Sequence, residues 1–237
     1  MSAPAAGACT HAVLYDIHGN LPALEGVLAD ARAAGADRFV LGGDYCAEGP
    51  WPRETLERLQ ALPGAAWIRG NTDRMLLGDN DLLGSDGWLV FAREALSRGQ
   101  IEWLHGLPER LVLGDELFCH ASPLSDEETF GPEPAPGDEA LLAGEHRCLI
   151  VFGHSHRQFR RPGPSQTELV NPGSVGLPLD GDRRAAWALR TPDGAIELRR
   201  TEYDAAPSIE RLREIGSEWA ESIALMLEHA EDPDQGG

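Results

Sequence analysis

Five apolar runs in this chain end on, or lead directly into, residue types that bind metal ions. Residues 11–15 lead into Asp16-Ile17-His18 and residues 38–41 into Gly42-Gly43-Asp44. Residues 65–68 lead to Gly70-Asn71, the run at 116–120 closes on Cys119-His120, and residues 148–152 lead into Gly153-His154-Ser155-His156. In an extended segment, residues i and i+2 point the same way, so Asp16 and His18 can face one ion, as can His154 and His156. Glycines at 19, 43, 70 and 153 allow close approach of backbone and ligand. The donors are carboxylates, a carboxamide and imidazoles. That mixture suits two divalent ions of the Mn, Fe, Co, Ni or Zn kind and is a poor match for Ca²⁺, which takes oxygen alone. No cysteine pair exists to build a structural zinc site. Taken singly, each piece has an ordinary reading: a strand-end histidine is usually a hydrogen-bonded structural residue, and Gly-Asp or Gly-Asn is usually a turn. Their ordered recurrence at five run ends is what points to one site.

Such a site needs elements that bring the five ends together. In open α/β folds, ligands gather beyond the carboxyl ends of strands, and the first half of this chain alternates β-like runs with amphipathic stretches. Asn20 is placed to cap a helix carrying Leu21, Leu24, Val27, Leu28 and Ala31 at helical spacing. A short helix is expected over residues 54–62, stopped by Pro63-Gly64, and a helical region over 74–107. A hairpin is expected around Gly114-Asp115, then a loop rich in Pro, Gly and acid at 122–137, and late strands at 167–170, 185–189 and 195–199. Residues 207–230 read as one C-terminal helix whose apolar stripe (Ile209, Leu212, Ile215, Trp219, Ile223, Met226) either packs on the core or serves as a dimer contact or substrate cap. Residues 231–237 read as a frayed tail. The expected organisation is one domain, 1–237, with its core over about residues 11–200.

Charge narrows the partners. Basic residues number 20 and acidic ones 39, for a net charge of −19. A surface of that sign repels long nucleic acid and anionic membranes, which are bound by neutralising phosphates with Lys and Arg. A small phosphorylated substrate stays compatible where a metal ion outweighs the global field. Every basic residue is Arg, which excludes a P-loop lysine, a Schiff-base lysine and a lysine general base. No apolar run reaches the roughly 20 residues of a membrane span, and residues 1–10 lack the basic start of a secretory signal. A cytoplasmic location is expected. Cys9, Cys46, Cys119 and Cys148 form no CxxC pair, and Cys119 and Cys148 read as small core residues. The oligomeric state is not legible.

The motifs DIHGN (16–20), GGD (42–44), GNTD (70–73), HASP (120–123), GHSH (153–156) and NPGS (171–174) together resemble the calcineurin-like metallophosphoesterase superfamily, in particular its small bacterial and archaeal phosphodiesterase branch. The resemblance spans residues 11 to about 200. It implies an α/β (α+β) sandwich of two mixed sheets packed face to face, flanked by helices, and a dinuclear metal site. Carried over, Asp16, His18 and His156 would hold one ion and Asn71, His120 and His154 the other, with Asp44 bridging. Manganese is the first expectation; Fe, Ni, Co and Zn are alternatives. The implied reaction is hydrolysis of a phosphoric ester by a hydroxide bridging the ions, with Asp44, Asn71 and His120 as the catalytic set and Asn71 also contacting the phosphate.

This chain departs from the pattern in three places. Thr72 stands where many members carry a histidine that assists the leaving group, and a threonine is no acid at neutral pH. That change fits the phosphodiesterase branch. After Asp44 the chain reads Tyr-Cys-Ala-Glu-Gly-Pro, without the Asp-Arg pair of Ser/Thr protein phosphatases, and Tyr15 precedes Asp16 where Ser or Thr is usual. Two neighbours carry double readings. Asp73 either orients a ligand histidine through its ring N–H or is a solvated turn residue, and Arg74 either reaches a phosphate oxygen or pairs with a surface acid. The acidic loop 122–137 either covers the site or is merely solvated. A phosphodiesterase of small diesters is therefore expected. The alternatives are a phosphomonoesterase, a hydrolase of dinucleoside polyphosphates or cyclic nucleotides, and a non-catalytic metal-binding scaffold.

Overall fold

The computed structural model describes residues 9–78 and 87–232. Among the described residues ten strands form: β1 (His11–Leu14), β2 (Arg38–Leu41), β3 (Ala65–Trp67), β4 (Arg110–Leu113), β5 (Glu116–Cys119), β6 (Leu149–Val151), β7 (Gln158–Pro162), β8 (Glu168–Pro172), β9 (Ala185–Arg190) and β10 (Ile196–Thr201). Among the described residues the helices are α1 (Leu21–Ala33), α2 (Pro52–Gln60), α3 (Asn71–Met75), α4 (Gly87–Ala95), α5 (Arg98–His105), α6 (Asp138–Leu141), α7 (Ala206–Ile215) and α8 (Glu218–His229).

The strands make two five-stranded sheets, ordered β10-β9-β1-β2-β3 and β4-β5-β6-β8-β7. Each is mixed. The runs β1-β2-β3 and β5-β6-β8 are parallel, with antiparallel partners outside them. Period-two alternation explains how the sheets stack. Val13, Tyr15, Val40 and Ala188 of the first sheet meet Phe118, Val151 and Val170 of the second in one dry layer. The residues between them face outward. Ala12, Leu14, Phe39 and Leu41 pack under α1, α2 and α4. Leu117, Cys119, Ile150 and Leu169 pack with Phe130 and Leu142 on the far side. The result is the expected sandwich flanked by helices.

Local signals behave as their chemistry requires. The Asn20 side chain accepts the Ala23 N–H at 3.3 Å as the α1 cap, and the hairpin turns at Gly114 with φ +62°. Three expectations need correction. The helical region 74–107 is three helices; its 79–86 segment lies outside the described residues, and Ser97 with Gln100 forms a capping box that starts α5 afresh. The C-terminal helix is two, because Gly216 takes a left-handed φ of 71° and ends α7. Cys148 is exposed, since it precedes the first residue of β6 and stands outside the sheet, whereas Cys119 is buried. The expected tail at 233–237 and the first eight residues lie outside the described residues.

Candidate metal centre

The first two site loops are laced together before any side chain is considered. Asp16 donates its N–H to the Gly43 carbonyl at 3.2 Å, and Ile17 and His18 donate theirs to the Asp44 carbonyl at 2.9 and 3.0 Å. At the ends of β5 and β6 in the second sheet, Gly153 N–H reaches the His120 carbonyl at 2.7 Å, and across the sandwich Gly176 N–H reaches the Asp16 carbonyl at 3.0 Å. Loops from both sheets therefore meet at one edge, beyond the ends of the two parallel strand runs.

Within these loops Asp16, His18, Asp44, His154 and His156 all have left-handed backbones, with φ of 53°, 46°, 58°, 67° and 57°. The pairwise convergence of Asp16 with His18 and of His154 with His156 is thus not that of an extended segment. The chain curls at each member, and every such non-glycine residue costs about 1–3 kcal/mol unless its surroundings hold it. Two glycines make the curl possible. Gly43 has φ +101°, and a Cβ on Gly70 would stand 2.1 Å from Asp44 Oδ1.

Seven polar side chains predicted from sequence come together here, and most are buried. His18 Nε2 and His156 Nε2 are 3.1 Å apart. The Nδ1 of His18 is 3.1 Å from the Ala47 carbonyl and that of His156 is 2.8 Å from the Leu177 carbonyl. A carbonyl only accepts, so each Nδ1 carries the hydrogen and both Nε2 atoms turn toward one gap. A positive charge, proton or metal, must sit between them. Asp16 Oδ1 lies 3.9 Å from His156 Nε2, is buried, and has no hydrogen-bond partner among the described residues. On the other side, Asn71 Oδ1 lies 2.9 Å from His120 Nε2 and 3.1 Å from His154 Nδ1. His120 Nδ1 bonds the Gly42 carbonyl at 2.9 Å. Asp44 Oδ2 spans the two groups, 3.8 Å from His18 Nε2 and 3.5 Å from His120 Nε2. Two overlapping triads, Asp16-His18-His156 and Asp16-Asp44-His120, have ligand atoms mutually within 4.8 Å. The orphaned carboxylate oxygen and the inward-facing ring nitrogens fit divalent cations.

Electrostatics agree with that fit. Burial pushes the Asp16 carboxyl up to about 7, with Asp44 adding to the rise. Burial acts the same way on Asp44, but the charges of His120, His18 and His154 outweigh it and hold this carboxyl far below the usual range. Burial disfavours a charged His120, yet Asp44 and Asp16 overcome it and raise the ring to about 10. His18 is likewise raised against burial by Glu48, Asp44 and Asp16. Burial lowers His156 and His154, helped by the positive rings of His18 and His120 respectively.

Sequence reasoning missed the residues that hold the ligands. Glu48 Oε2 stands 3.1 Å from His18 Nδ1, a carboxylate behind a candidate ligand ring. Ser174 donates its hydroxyl to the Asp16 carbonyl at 2.7 Å, and Asn171 donates to the Gly153 carbonyl at 2.9 Å, which gives the NPGS segment its work. Tyr15 is fully buried and donates to the Val151 carbonyl at 3.1 Å, tying the sheets together, so its place before Asp16 is a matter of packing. Asp73 fits neither earlier reading. It is fully buried, touches no ligand ring, and accepts the backbone N–H groups of Asp44 and Gly70 at 2.9 Å and Tyr45 at 3.2 Å. Both its oxygens are taken up by backbone donors. Thr72 donates its N–H to Asp44 Oδ1 at 3.0 Å. Arg74 pairs with Asp126 and Glu127, both at 2.7 Å, and so ties the 122–137 loop to α3. The centre opens into a cavity of about 230 Å³ whose far wall carries Leu177, Leu179, Ile223 and Met226, so α8 borders the site.

The calcineurin-like phosphoesterase pattern matches residues 12–161. The chain belongs to the calcineurin-like phosphoesterase family. It is accordingly a phosphoric ester hydrolase. It is 29% identical to protein MJ0912 of Methanocaldococcus jannaschii over 224 residues, 85% of this chain and 90% of that one. It is 28% identical to the phosphodiesterase YfcE of Escherichia coli over 179 residues, 70% of this chain and 79% of that protein. Its fold superimposes on the metallophosphoesterase of Sphaerobacter thermophilus with a TM-score of 0.77 at 27% identity, covering 94% of this chain and 99% of the other. The matched pattern stops before α7 and α8, so the apolar wall lies outside the segment that defines the family.

Proposed function

We propose that the phosphoesterase is a phosphodiesterase of small substrates working at a dinuclear centre, with manganese as the expected metal. Asp16, His18 and His156 would hold one ion and Asn71, His120 and His154 the other, with Asp44 placed between the two groups. The observation that carries this reading is the pairing of His18 Nε2 with His156 Nε2 beside an orphaned Asp16 oxygen, with Asp44 Oδ2 3.8 Å from His18 Nε2 on one side and 3.5 Å from His120 Nε2 on the other. Divalent ions there supply Lewis-acid polarisation of the phosphoryl oxygens and acidify water toward neutrality.

The chain's own residues do the rest. Asn71 turns its oxygen to the two rings, which leaves its amide N–H₂ as the donor for a phosphate oxygen. Glu48, Ala47, Leu177 and Gly42 fix the ring orientations before substrate arrives. Thr72 offers no acid, so departure depends on the leaving group's own stability. The Leu177, Leu179, Ile223 and Met226 wall favours an apolar substituent on the ester. Because α8 completes that wall, residues 1–237 are read as one domain. No described helix is long and apolar enough to cross a membrane, and the free thiols suit a reducing, cytoplasmic setting. The −19 charge disfavours long nucleic acid and anionic membranes.

Hydrolysis of bis(p-nitrophenyl) phosphate and p-nitrophenyl phosphate with Mn²⁺ tests the reading. The diester is expected to turn over faster, with activity lost to a chelator and restored by Mn²⁺. Activity that survives complete metal removal, or a clear preference for the monoester, refutes it.

A further inference from the structure

A second cavity, of about 320 Å³, adjoins the metal centre and takes His120 as part of its wall. Arg69, Arg74 and Arg110 line it, with Glu109 and Asp126. Acids outnumber bases 39 to 20 in the chain as a whole, yet arginines outnumber acids on this wall. The three arginines come from separate places: the segment after β3, helix α3 and the start of β4. Each is held. Arg69 donates to the His105 carbonyl at 2.8 Å and to Glu109 at 2.6 Å. Arg74 is gripped by Asp126 and Glu127, and Arg110 donates to the Pro123 carbonyl. The Nε–H of Arg69 is buried and has no acceptor among the described residues.

We infer that this cavity seats a second phosphate of the substrate, so that the compounds hydrolysed carry at least two phosphoryl groups, one at the metal centre and one against Arg69, Arg74 and Arg110. The inference rests on the phosphodiesterase reading and names its substrate class. Guanidinium forks match phosphate oxygens in pairs. A tetrahedral phosphate spreads its oxygens in three dimensions, which suits forks arriving from three elements. Glu109 and Asp126 prearrange two of the forks, so less ordering remains when the anion binds.

The test compares kcat/KM for diadenosine tetraphosphate and for bis(p-nitrophenyl) phosphate, which has a single phosphate, in the Mn²⁺ enzyme and in Arg110→Gln. Arg110 is exposed at a strand start, so the substitution spares the core. The variant is expected to lose about tenfold or more with the polyphosphate, chiefly through KM, and at least fivefold less with the single-phosphate diester. A calorimetric titration of both proteins, as purified, with inorganic tripolyphosphate supplies a readout without turnover; its affinity is expected to fall about tenfold in the variant. Equal losses on both substrates, or an unchanged tripolyphosphate affinity, overturn the second-phosphate seat and leave the phosphodiesterase reading intact. Failure of the wild-type enzyme to hydrolyse either compound with Mn²⁺ overturns both.

Discussion

Asp73→Asn tests whether Asp44 is held in place by its backbone. Asp73 Oδ2 accepts two N–H groups, from Asp44 and Gly70, and Oδ1 accepts a third from Tyr45. Asparagine preserves the shape but has one acceptor. If its oxygen serves Asp44 and Gly70, its N–H₂ faces the Tyr45 N–H, donor against donor. A buried donor left unpaired costs about 1–3 kcal/mol, and the two remaining bonds lose their charge assistance. Against this, burial and the nearby Asp44 raise the Asp73 carboxyl to about 6, so removing its charge relieves part of that penalty. The net destabilisation is about 1–3 kcal/mol, since the unpaired donor outweighs the relief. For a chain of this size, that lowers Tm by about 2–12 °C. The site should suffer more than the fold, because Asp44 Oδ1 also depends on the Thr72 N–H in the same loop pair. Differential scanning calorimetry and elemental analysis of purified protein give the two readings. A Tm within 1 °C of wild type together with undiminished metal content would refute the claim that Asp73 positions Asp44.

Further outcomes follow from the same geometry. Metal binding at pH 7 should release at least one proton, because His120 titrates at about 10 and Asp16 at about 7 in the metal-free protein, and both must lose protons to coordinate. Affinity therefore rises with pH through this range, and calorimetry in two buffers of different ionisation enthalpy shows it; equal heats in both count against ligation by these groups. Asp44→Asn should lower kcat by about a thousandfold or more, as loss of a shared charge stabiliser does, and should deplete both ions; a variant with two metals and near-full rate shows that Asp44 is no bridge. Gly70→Ala should cost the metals as well, since its Cβ would stand 2.1 Å from Asp44 Oδ1; a metal-replete alanine variant would show that the loop yields. With Thr72 unable to donate a proton, rates across aryl diesters should rise steeply as leaving-group pKa falls, and a flat series would reveal an acid that the geometry does not.

The seven polar residues that converge at the proposed centre were legible in the chain because metal chemistry restricts donors to a few residue types, and because strand ends are marked by apolar runs and glycines. The two sheets were legible for a similar reason: period-two burial writes itself into Val13, Val40, Phe118 and Val151. Other features depend on distant segments and leave no local trace. The role of Asp73 arises only when the Asp44 loop lies across it, and that of Glu48 only when His18 turns toward it. The left-handed backbones at five of the donors are imposed by loops laced from both sheets, not by residue preference alone. The arginine-lined cavity joins positions 69, 74 and 110, which no periodicity links. Sequence determined which donor-type residues this protein owns and which strands carry them. Tertiary structure decided where each donor points and what stands behind it, because those depend on contacts between residues far apart along the chain.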